Sequence, residues 1–313
     1  MGHGIAVCGS INMDVVVPVV SLPMPGETIL GGSAALHPGG KGANQAVAAA
    51  RLGAQVRLAA AMGHGLGFAE PLEEALQQEG VDLRWLRHVD EPEGMALIAV
   101  AASGQNMIIV SPGANGRFAP DLLDSQFFHG MAVVLLQLEI PFPTVLRAAE
   151  LGRAAGALIC LNAAPAAAEV PLACCDWLLV NEHEGALLLH RQPIVSIAEA
   201  LDAVRALQHV VAGVVMTMGA WGAVYAHHAE IGHVPGFTVS VVDTTAAGDT
   251  FAAAFAHALG EGATAEQAVR WANAAGALTC TRHGAQSALP TRDEVAALYQ
   301  GTTPVRIRDG EEA

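Results

Sequence analysis

Short apolar runs alternate with helix-length amphipathic stretches along this 313-residue chain, and run after run stops on a polar residue. Uninterrupted apolar runs of this length belong to strands buried on both faces, and such strands lie in parallel sheets whose crossovers are helices. Residues 5–11, 56–62, 132–138, 157–161, 177–180, 214–218 and 223–226 read as strands. Residues 68–79, 143–155, 197–207, 264–278 and 292–299 read as helices. The rhythm predicts an α/β fold, a mostly parallel sheet with helices on both faces. In open sheets of this kind ligands bind outside the carboxyl ends of the strands. The polar residues there are Asn12 and Asp14, then Glu139, Asn162, Asn181, Glu184, Thr217 and Gly219, all of them binding candidates.

Two stretches break the rhythm. Residues 15–36 combine β-branched residues with Pro23, Pro25, Gly26, Gly31 and Gly32, and residues 94–110 flank a Ser103-Gly104-Gln105 turn. Both read as short antiparallel strands standing apart from the main sheet and pairing into a lid. The expected organisation is one α/β domain over 1–301, with lid strands from about 14–36 and 94–111. A polar tail at 302–313 follows.

The densest chemistry lies at residues 237–255. The alternating, β-branched run 237–243 reads as a strand, and the alanine-rich run 250–259 as a buried helix. Between them stand only small residues, Thr244, Thr245, Ala246, Ala247 and Gly248. Small side chains let a ligand approach the backbone, and free N–H groups at a helix start attract anions. Asp249 would repel a phosphate there, which makes sense if it takes the proton from a hydroxyl that then attacks the phosphate. The plainer alternative is a helix N-cap. The segment alone leaves both open.

A second glycine turn opens a helix at 37–53, with Gly40, Lys41 and Asn44 at its mouth and Gly53 at its end. It is not a Walker loop, and no G-x-G-x-x-G occurs in the chain. A formal charge of −15 without any Lys/Arg-rich run argues against nucleic acid or an anionic membrane as partner. Cys8, Cys160, Cys174, Cys175 and Cys280 form no C-x-x-C pair, which favours a reducing cytoplasm over a disulfide framework. The apolar run near the N-terminus lacks a basic flank and reads as a strand, not a signal peptide. No apolar segment is long enough to span a bilayer, and the histidines show no zinc-ligand spacing.

Nine motifs then fall in an order that resembles the ribokinase-like family of carbohydrate and nucleoside kinases, over residues 5–299. They are Gly9-Ser-Ile-Asn-Met-Asp14, Pro25-Gly-Glu27, Gly39-Gly-Lys-Gly-Ala-Asn-Gln45, Gly113-Ala-Asn115, Leu138-Glu139, Asn181-Glu-His-Glu184, Thr217-Met-Gly219, Asp243-Thr-Thr-Ala-Ala-Gly-Asp249 and Gly284-Ala-Gln286. The Gly-Gly-Lys-Gly-Ala-Asn form resembles the ribokinase branch more than fructokinases or adenosine kinases. The resemblance implies transfer of the γ-phosphoryl group of ATP to the 5-hydroxyl of D-ribose, with Asp249 as base and Ala246, Ala247 and Gly248 as anion hole. It implies sugar binding by Asn12, Asp14, Gly40, Lys41, Gly42, Ala43, Asn44 and Glu139. Asn181 and Glu184 would act on Mg²⁺ and phosphate through water. Thr217, Met218, Gly219, Ala220, Trp221, Gly222, Gly248 and Asn273 would lie along the nucleotide. K⁺ would sit among Asp243, Thr245, Cys280, His283, Ala285 and Ser287, mostly on backbone oxygens, unless Arg282 folds onto Asp243 and replaces it. The lid would pair two subunits into a homodimer. The chain departs from relatives at Ala246, where many have glycine, at His64, where many have aspartate, and at Asn273, where a histidine is found. Rival readings keep the fold but change the acceptor to a nucleoside, deoxyribose or another pentose, or replace catalysis by sugar binding alone.

Overall fold

A computed structural model describes residues 4–167, 170 and 172–301; the polar tail expected at 302–313 lies outside them. The strands are β1 (Gly4–Cys8), β2 (Asn12–Val19), β3 (Ala35–Gly39), β4 (Gln55–Met62), β5 (Asp82–His88), β6 (Gly94–Ala101), β7 (Asn106–Ser111), β8 (Met131–Leu136), β9 (Leu158–Asn162), β10 (Trp177–Asn181), β11 (Gly213–Thr217), β12 (Ala223–His227) and β13 (Glu230–Val234). The α-helices are α1 (Lys41–Arg51), α2 (Ala69–Gln78), α3 (Phe142–Ala154), α4 (Glu182–Leu188), α5 (Ile197–Gln208), α6 (Ala247–Gly260), α7 (Ala265–Thr279) and α8 (Arg292–Tyr299).

Nine strands form the main sheet in the order β13-β12-β11-β10-β9-β8-β1-β4-β5, parallel from β11 to β5, with β12 and β13 antiparallel at one edge. Strand period sends alternate residues to opposite faces. Ile5 and Val7 of β1 join one core cluster with α1, α6, α7 and α8, whereas Ala6 and Cys8 join the other with α3 and α5. Every β1 residue is buried, which is why no polar alternation marks it in the sequence. All five cysteines are free thiols, and no helix among the described residues is long and apolar enough to cross a membrane.

The second sheet runs β3-β2-β6-β7. Its outer pairs, β2·β3 and β6·β7, are antiparallel as expected, but the central pair β2·β6 is parallel. The reason is topological: β2 and β6 leave the main sheet in the same sense, each continuing outward from the carboxyl edge, so they run side by side.

Some elements depart from the sequence reading, β13 among them, which no strand reading covered. Residues 237–243 form no strand; the segment lies outside both sheets, and Phe237, Thr238, Val239 and Val241 wall a cavity instead. Strand β5 went unread because Asp82, Arg84 and Arg87 interrupt its apolar character at the sheet edge. The seven-residue α4 is too short for helical periodicity to register.

Candidate active site

The chain proceeds from β1 to β4 on one side and to β8 on the other, so the carboxyl ends of β1 and β8 open a crevice at the switch point of the sheet. Ser10, Glu139 and the start of α1 meet there. Ser10 Oγ donates to Glu139 Oε2 at 2.5 Å and the Lys41 N–H to the same oxygen at 3.1 Å. Gly40 enters α1 at φ 89°, and a Cβ on it would stand 2.7 Å from Asn12 N, so only glycine makes this turn. The N–H groups of Gly42 and Ala43 bond Ser10 Oγ at 3.3 Å and Ser10 O at 2.9 Å. These two residues thus fasten α1 to the β1–β2 turn.

Asn12 and Asp14 open β2 and are buried. Asn115 Nδ2 donates to Asn12 Oδ1 at 2.8 Å and to Ile11 O at 3.0 Å, while its Oδ1 accepts the Ile11 N–H at 3.0 Å. The Asp14 carboxyl packs where any side chain on Gly39 would collide with it. Burial, reinforced by Glu139 and Asp249, pushes Asp14 up from 3.8 to about 7, against the pull of Lys41. Asp249 above all, then Glu139, Glu184 and Asp14, hold the Lys41 ammonium above its ordinary value despite its burial.

Asp249 is the third residue of α6 and 6% exposed. It is not the N-cap; that position belongs to Ala246, in the left-handed region at φ 60° with no side-chain cap bond. The helix mouth therefore keeps donors for an anion. Asp249 Oδ2 accepts from Asn44 Nδ2 and Oδ1 from Gln45 Nε2, both at 3.0 Å. Gln45 Nε2 also reaches Asn162 Oδ1 at 3.0 Å, and Gln137 Nε2 donates to Gln45 Oε1 at 2.6 Å. Gln286 Nε2 donates to Asn44 Oδ1 at 3.3 Å.

Asp249, Lys41, Asn162, Asn181 and Glu184 line a polar cavity of about 220 Å³. It meets a more apolar cavity of about 390 Å³ at Thr217, Thr244, Gly248 and Phe251. Gly219, Ala220, Gly222, Asn273, Gly276 and Cys280 line the latter, with Phe237, Val239 and Val241 as its outer wall. Asn273 spends its amide donors on Val234 O at 3.0 Å and Pro235 O at 3.3 Å. Met218 belongs to the core, and Trp221, 52% exposed, faces an adjoining open cleft. Neither lines the cavity.

Asn181 and Glu184 cap α4 reciprocally: Asn181 Oδ1 accepts the Glu184 N–H and Glu184 Oε2 the Asn181 N–H, both at 2.8 Å. Burial lifts the Glu184 carboxyl, and the Asn181 N–H partly offsets this. Beyond α6, the loop at Asp243 is tied to the loop after α7. Cys280 O accepts the Val242 N–H at 2.7 Å, and Asp243 Oδ2 the Gly284 N–H at 2.9 Å. Thr245 gives Asp243 Oδ1 both its N–H at 2.9 Å and its Oγ1 at 2.7 Å. Burial alone would lift Asp243, but these bonds carry it below its ordinary value. Arg282 does not fold back onto it; its guanidinium pairs with Glu294 on α8. His64, exposed, lies 3.4 Å from Asp90 and away from both cavities.

Ser10, Gln45, Asn115 and Gln286 had signals only as unassigned members of motifs. Gln137, inside an apolar strand end, had none.

A phosphate-sized helix mouth, a carboxylate at its edge and two joined cavities define a phosphotransferase. The profile described as pfkB family carbohydrate kinase matches residues 3–292, and the chain belongs to that family. Its acceptor group is therefore an alcohol. Within the family it is similar to the ribokinase of Haemophilus influenzae, 37% identical over 310 residues, covering 96% of this chain and 99% of that one. The Bacillus subtilis ribokinase is 39% identical over 300 residues, with 95% and 99% covered. Among solved structures, Arabidopsis thaliana ribokinase complexed with ribose and ATP matches with a TM-score of 0.88 at 32% identity, over 96% of this chain and 99% of that chain.

Proposed function

We propose that the chain transfers the γ-phosphoryl group of ATP to the 5-hydroxyl of D-ribose, giving ribose 5-phosphate and ADP. The observation that carries this reading is the position of Asp249, in the first turn of an anion-ready helix mouth, bonded to Asn44 and close enough to Asp14 and Lys41 to act on their charge. ATP lies along the apolar cavity with its phosphates at Gly248, and the sugar lies among Asn12, Asp14, Gly40, Lys41, Asn44 and Glu139. Carboxylates and amides suit that task because each takes paired hydrogen bonds from a diol.

As the 5-hydroxyl oxygen bonds to phosphorus, Asp249 takes its proton and the electrons of the breaking P–O bond leave with ADP. The N–H groups at the start of α6 and the Lys41 ammonium stabilise the charge on the transferring group. Mg²⁺, near Asn181 and Glu184 through water, would neutralise phosphate charge. The half-buried Asn181 and the buried Glu184 present partly hydrogen-bonded oxygens that fit a hydrated divalent ion. K⁺ would sit between the Asp243 loop and the loop at 280–287. The fit is good: the donors are a carboxylate and backbone or hydroxyl oxygens, and Arg282 is committed elsewhere. Two chains pair through the lid sheet, and residues 1–301 act as one catalytic unit.

A coupled assay of ADP formation across ribose, deoxyribose, other pentoses and nucleosides tests the assignment. Ribose should give the highest kcat/KM. Turnover of another acceptor with none on ribose overturns the sugar while leaving the kinase.

A further inference from the structure

The Asp249 carboxylate is held from both ends by amides whose own orientation is fixed. Gln45 Nε2 donates to Oδ1 and Asn44 Nδ2 to Oδ2. The oxygen of each of these amides receives a hydrogen bond from a further amide, Gln137 Nε2 at 2.6 Å and Gln286 Nε2 at 3.3 Å. Turning either inner amide over would set two oxygens face to face, so its N–H end stays aimed at Asp249. The second Gln45 N–H is taken by Asn162 Oδ1.

The arrangement has a cost. Gln137 is fully buried and its Oε1 has no hydrogen-bond partner, so the desolvation of that oxygen goes uncompensated. It faces Gly9, where any side chain would collide with it. A methionine or leucine would fill the space without that cost. What only an amide supplies here is an N–H directed at Gln45 Oε1.

We propose that Gln45 directly, with Gln137 behind it, and Gln286 through Asn44 are positioning residues that keep the Asp249 carboxylate held by both oxygens and leave its open lone pair toward the substrate hydroxyl. The proposal rests on Asp249 as the base. A proton taken from the hydroxyl finds donors already facing the two clamped lone pairs. It therefore resides on the cavity side, from which it can leave.

The test compares Gln45→Met, Gln137→Met and Gln286→Met with wild type in kcat, sugar KM, the pH profile of kcat and melting temperature. Gln45→Met should lower kcat by about 10–100-fold with sugar KM within about threefold, because orientation acts on the reacting geometry. The acid limb of its kcat profile should move up by about one pH unit, since donors to the charged carboxylate are lost. Gln286→Met should do the same to a smaller degree. Gln137→Met should lower kcat while melting no lower than wild type, a combination that a packing role would not produce. Wild-type kcat and pH profile in both Gln45→Met and Gln286→Met overturn the proposal, as does a loss confined to KM. If Gln45→Met fails to fold, the other two variants decide by the same readouts. Crystal structures read the clamp without any turnover: a rotated Asp249 carboxylate in the Gln45→Met or Gln286→Met variant supports it, and an unmoved one overturns it. A wild-type enzyme that phosphorylates no sugar would sink the functional reading instead.

Discussion

Asp249 lines the polar cavity next to the Gly248 helix mouth, where a proton must leave as a phosphoryl group arrives. Asp249→Asn keeps shape and hydrogen bonding and removes basicity, so turnover should fall by about 10²–10⁴-fold with ATP binding and melting temperature retained. A variant within a few-fold of wild type would strip Asp249 of its role. Asp14 gives a pH signature. In the fold its carboxyl keeps its proton up to about pH 7, while the unfolded chain releases it near 3.8. A raised folded value means stability that is fully present below pH 3.8 and lost as pH rises through about 7. Asp14→Asn should therefore gain on wild type between pH 4 and pH 8 by about 2–4 kcal/mol in sugar-free denaturant titrations. A constant difference between the two proteins across that range would refute the buried, proton-holding Asp14.

The elements carry two further consequences. Gly248 sits in the first turn of α6, and a Cβ there would meet nothing within 4 Å because it would project into the site. Gly248→Ala should raise helix stability by up to about 1 kcal/mol yet depress turnover sharply, as the methyl occupies the anion position. Full activity would mean that phosphate lies elsewhere. The Asp243 loop and the loop after α7 predict faster turnover in K⁺ than in Na⁺ at equal ionic strength, together with a higher melting temperature in K⁺; equal values in both salts would reject a cation there. The parallel strands were legible because burial on both faces leaves unbroken apolar runs, as in Ile5–Val7 or Val133–Leu136. Residues 237–243 were misread because apolar, β-branched side chains wall a cavity there with the same composition that a strand would carry. At the site, Asp249 announced itself as a charge in a phosphate-like turn. Gln45, Gln137 and Gln286 did not, since three uncharged residues far apart in sequence become a clamp only when α1, the end of β8 and the loop after α7 converge.

For the whole molecule, the lid sheet presents exposed apolar side chains along one row. Its register aligns Leu36, Val15, Leu97 and Ile109 in one row across all four strands, and Leu36, Leu97 and Ile109 are 53%, 42% and 59% exposed. Such a row favours pairing with a second copy. Leu97→Glu should shift sedimentation from dimer to monomer and raise sugar KM more than ATP KM, because β2 carries both the row and Asp14. A monomeric wild type at micromolar concentration would reject the pairing.

The order of the main sheet also bears on how the chain is made. Strand β1 is interior, yet its neighbour β8 is synthesised only after β4 to β7 are complete. A nascent chain thus holds one edge of a fully buried strand open through that interval, a template for mispairing with other chains. The seat of catalysis is correspondingly late, since no emerging fragment short of the loop after α7 contains Gln286, whose amide orients Asn44 toward Asp249. Synthesis passes from an aggregation-prone half-sheet to a competent enzyme with no partly active stage between.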